Sequence, residues 1–458
     1  MPAERAGRID GGFCDLVYNP GPMAVGAVPT PRFLADVYEA ASECNKCSLC
    51  QATCPAYVVN PVEWETARGR IALIRDAIEG RLELSDIADG PLSTCLTCDN
   101  CVAACAPRVP TGHIVSRARQ ELHAQDGYPW GQSFALRSVL PRPGALRALH
   151  GFARFTRRTG LYGLARRIGL LSWLGTVGAL AEQGGPPPQR TVYQMLADLP
   201  APAEPVRGTV ALLVCCLSNL TVPESTDATI RVLLASGYAV DVPVVGCSGL
   251  PARTLGDRDA MVDMAVRNSA AMSTLDVDAY IGDTASCTEH YREYGSIAGA
   301  DRQVGARARD IGRHSALASD FLDRNGIRGE LGPLRWRVTI DEPCALPIDG
   351  TERGAMHRLL EQIPHLEIVP LHERAMCCGG AGTYFARQPE RSEAILRRKF
   401  ENIRASGAEI VVTENVSCLL QLRAGAARYA PDVKVMHVME VMLASMQGAE
   451  RRRAVLAG

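Results

Sequence analysis

Two runs of cysteine carry the most specific chemistry in this chain. CNKCSLCQATCP supplies Cys44, Cys47, Cys50 and Cys54, and CLTCDNCVAACAP supplies Cys95, Cys98, Cys101 and Cys105. The spacing C-x2-C-x2-C-x3-C sets three thiolates on one face of an iron–sulfur cube and sends the fourth to a partner cube. The expected assignment is therefore an exchange. Cys44, Cys47, Cys50 and Cys105 hold one [4Fe–4S] cluster, and Cys95, Cys98, Cys101 and Cys54 hold the other. Zinc is the rival, but it favours two separated C-x2-C pairs around a tetrahedron rather than two runs of four. Pro55 follows Cys54, whereas Ala106 follows Cys105 and the proline slips to Pro107, so the second turn is expected to differ locally.

Of the 17 cysteines, eight more form two looser groups and Cys14 stands alone, an ordinary N-terminal thiol. Cys215, Cys216, Cys247 and Cys287 precede Cys344, Cys377, Cys378 and Cys418. Each group sits at the ends of apolar strand-like runs: GTVALLV, YAVDVPVV and DAYIG upstream, then RWRVTI, LEIVPL and EIVVTE downstream. The offsets between corresponding cysteines are 128 (216 to 344), 130 (247 to 377) and 131 (287 to 418), as a repeated β/α unit requires. Loops leaving the carboxyl ends of parallel strands converge on one crevice, so each unit is expected to gather its thiols. The glycines after Cys378 give the backbone room for close approach and positive φ. The rival readings are that these cysteines fill the core as small apolar residues, or that four thiolates close around zinc. The second site, Cys344, Cys377, Cys378 and Cys418, is expected to hold a metal centre, a third iron–sulfur cluster or zinc. The first, from Cys216, Cys247 and Cys287, reads as a degenerate copy, because Ser248 stands where the second unit has Cys378. Cys215 offers a thiol that can compensate. GGAG at 379–382 does not complete a G-x-G-x-x-G loop and is not read as a dinucleotide site.

The elements that must position these groups follow from the texture around them. At 458 residues the chain has room for about three domains. Its 47% apolar and 22% charged content is that of a globular protein. TARGRIALIRDAIEG (66–80) and GHIVSRARQELHAQ (112–125) have helical apolar spacing, so the two cysteine runs lie in a helical domain. Arg68, Arg70 and Arg75 are candidates for stabilising reduced clusters, or simply a solvated helix face. Residues 127–181 hold eight arginines and no acid, with apolar residues interleaved. That stretch suits an anionic membrane surface, although a linker that packs on the clusters or on a partner is the plainer reading. A net charge of −1 gives no nucleic-acid signature. The N-terminus has no apolar signal core, the run 168–181 is too short to span a bilayer, and the cysteine usage fits reduced thiols in a cytoplasmic setting. His290 and His437 are read as packed histidines rather than ligands.

With both cysteine runs, ARGRIALIR (67–75), CCGGAGTYFA (377–386) and TENVSC (413–418) in view, the chain resembles the iron–sulfur subunit of bacterial glycolate oxidase (glycolate dehydrogenase). It is also similar to the wider family with cysteine-rich CCG domains, which includes heterodisulfide reductase, lactate-utilisation proteins and the anaerobic glycerol-3-phosphate dehydrogenase C subunit. The resemblance implies an α-helical two-cluster ferredoxin domain followed by a duplicated α/β cysteine-rich (CCG) domain pair. The expected boundaries are an extension at 1–35, the ferredoxin domain at 36–126, a basic helical linker at 127–205, CCG-type units at 206–330 and 331–445, and a basic tail at 446–458. It further implies electron transfer from a partner FAD-containing dehydrogenase subunit, which would oxidise a 2-hydroxy acid, to a quinone or another acceptor. The location implied is the cytoplasm, with the inner face of the cell membrane as a peripheral option. No flavin or nicotinamide fingerprint is found in the chain. Two alternatives remain: a heterodisulfide-reductase-like subunit with a substrate-reactive cluster, and a zinc-stapled docking module. Ala345 and Gln421 stand where relatives often carry histidine and heterodisulfide reductases a further cysteine, which argues against the former.

Overall fold

In a computed structural model the described residues run from 33 to 457, apart from 35, 129, 174, 175, 184 and 349. Cys14 and nearly all of the expected extension lie outside them. The described residues between 33 and 126 form helices and turns with no strand. Helix Ala67–Ile78 starts where the Thr66 hydroxyl accepts from the Gly69 amide at 2.9 Å, a cap that satisfies a donor the helix cannot. It buries Ile71 and Ile74 against Ile114, Val115 and Ala118 of helix Thr111–Asp126. Gly69 is required at that contact, because a Cβ there would stand 2.2 Å from the Glu63 carbonyl oxygen.

From 208 onward the chain builds two four-stranded parallel sheets. The first has β1 (Gly208–Leu213), β2 (Tyr238–Asp241), β3 (Ala279–Gly282) and β4 (Ser315–Leu317), in the order β2-β1-β3-β4. The second has β5 (Arg337–Ile340), β6 (Glu367–Ile368), β7 (Ile410–Thr413) and β8 (Lys434–His437), in the matching order β6-β5-β7-β8. The six strands expected from apolar runs are present. The edge strands β4 and β8 were not anticipated, since runs of three and four residues carry too little pattern to stand out. The two units share one core, in which Val210, Leu212 and Ile281 pack with Val338, Val412 and Met439. Helix Val438–Ala457 continues through the residues expected to be a tail and packs beside helix Pro223–Ala235 of the first unit.

Polar groups are buried where the units meet. Ala285 donates its amide to the Glu414 carbonyl at 3.0 Å, and Ser319 donates its amide to Glu414 Oε1 at 2.9 Å. His437 Nε2 donates to the Asp283 carbonyl at 2.8 Å while its Nδ1 accepts from Met439 at 3.2 Å. His437 is thus a packed clamp between units. Glu414 Oε2 has no hydrogen-bond partner among the described residues, and burial pushes this carboxyl from 4.5 up to about 8. The folded chain therefore holds a proton that the unfolded chain has released, and the associated stability is lost as pH rises from about 4.5 to about 8. Asp283 and Asp341, also pushed up by burial, add to the same slope. Glu414→Gln is expected to flatten it, gaining on the order of a few kcal/mol at pH 8.5 relative to pH 5 in urea titrations. An unchanged pH dependence would show that Glu414 is ionised in the fold.

Candidate metal centres

The two cysteine runs adopt matching loops. Lys46 and Ser48 in the first have φ of 53° and 71°, and Thr97 and Asp99 in the second have φ of 51° and 54°. A left-handed residue on either side of the middle cysteine is costly for non-glycine residues, and it wraps the three thiols of each run inward. Asp99 is held by the Gly112 amide, 2.7 Å from Oδ1. The two runs part after their last cysteine: Pro55 opens helix Pro55–Val59, whereas residues 106–110 form a turn before the helix at Thr111. The displaced proline has that local consequence.

Two separate cavities result. One is lined by Cys54, Cys95, Cys98 and Cys101. The other is lined by Cys44, Cys47, Cys50 and Cys105, with Cys101 on the wall between them. The structure thus brings together the four thiols of each exchanged set, and the donor chemistry of both cavities fits an iron–sulfur cluster. Burial pushes the Cys98 and Cys101 thiols well up from their ordinary range, so metal binding there must release protons. The three arginines separate cleanly. Arg68 pairs with Glu63 at 2.6 Å and Arg75 with Glu79 at 3.4 Å, both partly exposed. Arg70 is buried, with Nε donating to the Pro91 carbonyl at 2.8 Å and Nη1 standing 3.8 Å from Cys54 Sγ. A second buried guanidinium, Arg119, donates to the Cys95 carbonyl at 2.7 Å. The sequence reading missed it, because an arginine on a helix next to a cysteine run looks like any solvated one.

The second unit gathers Cys344 after β5, Cys377 and Cys378 after β6, and Cys418 on helix Val416–Tyr429 after β7. Cys378 Sγ lies 3.3 Å from Cys418 Sγ, and Cys377 reaches Cys344 and Cys378. Gly379 has φ +84°, and a Cβ on it would stand 2.8 Å from the Ser392 carbonyl oxygen. On Gly380 a Cβ would meet Gln421 and Ser417 at 3.2 Å. Both glycines serve close approach, the first also through its backbone angle. The Cys377 and Cys418 side chains hold the Cys378 thiol well below its usual value. Buried Lys399 adds to this. It makes a 2.6 Å ion pair with Asp341 and donates to the Met376 carbonyl at 3.0 Å. No spacing in the sequence marked Lys399.

This site is not isolated from the ferredoxin domain. Cys54, Leu96 and Cys98 pack in one apolar cluster with Met376, Cys377 and Cys344. Asn100 Nδ2 donates to the Ala375 carbonyl at 2.8 Å, the Tyr384 hydroxyl to the Thr94 carbonyl at 3.2 Å, and Arg391 pairs with buried Glu65 at 2.7 Å. Beside this contact opens a cleft of about 810 Å³, walled by Pro55, Val58, Ile340, Val369 and Met376, with Arg353 among its charged residues.

The first unit places Cys215 and Cys216 after β1, Cys247 after β2, and Cys287 on helix Ala285–Arg292 after β3. Cys287 Sγ is 3.8 Å from Cys215 Sγ. Cys216 meets both Cys215 and Cys247. Among the described residues, no three His, Cys, Asp or Glu side chains are arranged as ligands of a single ion.

The linker joins these parts and leaves an apolar face open. Leu149, Phe152, Phe155, Leu161, Leu164 and Ile168 are exposed among its arginines. No described helix is long and apolar enough to cross a membrane.

Three stretches of the chain match known families: residues 40–109 a 4Fe-4S dicluster domain, 129–182 the linker region of glycolate oxidase iron-sulfur subunits, and 338–423 a cysteine-rich domain. A probable glycolate oxidase iron-sulfur subunit of Bacillus subtilis is 26% identical over 87% of this chain and 93% of its own length. The glycolate oxidase iron-sulfur subunit of Escherichia coli is 26% identical over 87% of this chain and 92% of its own. Lactate utilization protein A of Geobacillus kaustophilus is 29% identical over 51% of this chain and 98% of its own. Among solved structures, a hypothetical protein from Helicobacter pylori superposes with a TM-score of 0.50 at 11% identity, covering 90% of this chain and 74% of that one, a likeness of fold alone.

Proposed function

We propose that this chain, similar to glycolate oxidase iron–sulfur subunits along nearly all of its length, is the electron-transfer subunit of a flavin-dependent 2-hydroxy-acid dehydrogenase complex. The observation that carries the reading is the order of the thiol groups. The Cys44, Cys47, Cys50 and Cys105 cavity meets the Cys54, Cys95, Cys98 and Cys101 cavity at Cys101. The latter packs directly on Cys344 and Cys377. Iron–sulfur clusters supply one-electron chemistry when bound. The side chains contribute spacing, burial and charge. Arg70 lies against Cys54 and Arg119 against Cys95, two cysteines of the same cavity, and Lys399 lies under the second-unit site.

In this reading the two cavities hold [4Fe–4S] clusters and the second unit holds a third cluster or zinc, within a duplicated pair of CCG-type units. Electrons come from an FAD-containing partner subunit in the cytoplasm and leave for a quinone or another acceptor. The basic, apolar face of the linker supports docking to that partner or to an anionic membrane surface. A second reading, a substrate-reactive centre at Cys344, Cys377, Cys378 and Cys418, is favoured by one observation, the cleft that reaches Met376 beside Cys377.

Metal analysis with EPR of anaerobically purified chain tests the cluster content. About eight irons are expected from the two ferredoxin cavities alone, and about twelve with a third cluster. Fewer than about four irons with stoichiometric zinc would support the docking module instead.

A further inference from the structure

The two ferredoxin cavities have the same donor set and different surroundings. Lys46, Cys47 and Leu49 line the Cys44, Cys47, Cys50 and Cys105 cavity and are exposed. Arg68 also lines it, but this guanidinium is partly exposed and paired with Glu63 at 2.6 Å. Its counter-charge and the surrounding water screen most of its field.

At the Cys54, Cys95, Cys98 and Cys101 cavity the cations are buried. Arg70 is 1% exposed and Arg119 is 7% exposed. Arg70 Nε donates to the Pro91 carbonyl at 2.8 Å and Nη2 to the Thr94 hydroxyl at 2.9 Å, while Nη1 stands 3.8 Å from Cys54 Sγ. Arg119 donates to the carbonyls of Leu92 at 3.1 Å, Thr254 at 2.9 Å and Cys95 at 2.7 Å. These partners are neutral dipoles, and among the described residues no carboxylate pairs with either guanidinium. Asp99 lines the same cavity, with Oδ1 accepting from the Gly112 amide at 2.7 Å. One carboxylate offsets at most one of the two charges.

Burying unpaired cations is costly, and a different α/β unit closes over each of them. On the Arg70 side, the Tyr384 hydroxyl of the second unit donates to the Thr94 carbonyl at 3.2 Å, and Gln388 donates to the Ser93 hydroxyl at 3.3 Å. On the other side, residues 253–256 of the first unit cover Arg119. There Ser116 donates to the Arg253 carbonyl at 3.1 Å, and a Cβ on Gly256 would stand 2.5 Å from the Arg119 carbonyl oxygen. The assembled chain thus maintains a dry positive field beside one cavity and not beside the other. Four thiolates give a [4Fe–4S] centre a net negative charge that grows by one on reduction, so such a field favours the reduced state.

We propose that Arg70 and Arg119 hold the centre of Cys54, Cys95, Cys98 and Cys101 at the higher reduction potential of the ferredoxin pair, and so give electron flow its direction. Water at the Cys47 loop also favours reduction there, but two fixed charges in a low-dielectric site act more strongly. One electron leaves the Cys44, Cys47, Cys50 and Cys105 centre, which is oxidised, and reduces its neighbour; no bond or proton changes place. The reductant upstream is the reduced flavin of the reading above, and the inference rests on that reading's two clusters. Cys344 and Cys377, packed on the higher-potential side, lie next in line. Neither arginine is a ligand; both act through the charge they place beside the thiolates.

The test is a redox titration of the full-length chain, purified anaerobically and followed by EPR, with signals assigned from the Cys47→Ala and Cys98→Ala chains. The signal that Cys98→Ala removes is expected to appear first as the potential is lowered. Arg70→Met and Arg119→Met are each expected to shift that midpoint down by about 59 mV, a tenfold loss in the ratio of reduced to oxidised centre, and to leave the other midpoint in place. Arg70→Lys and Arg119→Lys keep the charge and are expected to recover most of the shift, which a purely structural role would not produce. Should Arg70→Met fail to retain its iron, Arg119→Met and the order in the unaltered chain carry the test. A reversed order in the unaltered chain overturns the proposal, as do unmoved midpoints in the methionine variants or equal shifts of both signals. An unaltered chain without the two clusters, seen as missing iron, overturns the cluster reading and this inference together, and is told apart from a wrong order by the metal analysis.

Discussion

Cys54→Ala is expected to abolish the cluster of the other cysteine run and spare the one nearest to it in sequence. Cys54 lines a cavity with Cys95, Cys98 and Cys101, while Cys44, Cys47 and Cys50 face Cys105 across a separate one. The variant should lose about four irons and the EPR signal that Cys98→Ala also removes. Cys105→Ala should behave reciprocally, in common with Cys47→Ala. Grouping by sequence run instead, with Cys54→Ala matching Cys47→Ala, would refute the exchanged arrangement. The prediction is sharp because the exchange is a property of three-dimensional packing that a sequence-local ligand set cannot mimic.

Lys399→Met should cause the largest loss of stability among substitutions outside the thiols, about 3–5 kcal/mol by urea denaturation. Lys399 and Asp341 are both buried and 2.6 Å apart. Removing the cation leaves a carboxylate in a low-dielectric site beside the Cys378 and Cys418 thiols. Asp341 keeps only the Thr413 hydroxyl, at 3.1 Å, as a described side-chain partner. The double variant Lys399→Met/Asp341→Leu should recover much of the loss, because the penalty lies in the unpaired charge and not in the missing pair. A Lys399→Met loss below about 1 kcal/mol would mean that the pair is solvated in the protein. The same substitution should weaken metal retention at the second-unit site, since a buried cation favours thiolates over thiols.

Much of the fold was legible because its strongest signals are local. The C-x2-C-x2-C-x3-C spacing acts within a dozen residues, and the helical period of 66–80 and 112–125 within a few turns. The near-constant offsets of 128, 130 and 131 between cysteines anticipated two sheets of the same strand order. What escaped was set by packing between distant segments. The shared core of the two units joins β1 and β3 to β5 and β7, and no periodicity within either unit reports it. Arg68, Arg70 and Arg75 look equivalent on a helix, yet only Arg70 is buried against Cys54. Lys399 lies on a helix rich in charge, and its burial depends on the loop that carries Met376 and Cys377.

The most direct test of the central claim follows the electrons. The chain is purified anaerobically with and without the flavoprotein subunit proposed as its partner, and glycolate or another 2-hydroxy acid is added while the clusters are monitored by EPR. The account predicts reduced-cluster signals only when the flavin subunit is present. The isolated chain should stay oxidised with the hydroxy acid and become reduced with dithionite. Cluster reduction by the hydroxy acid in the isolated, flavin-free chain would contradict it.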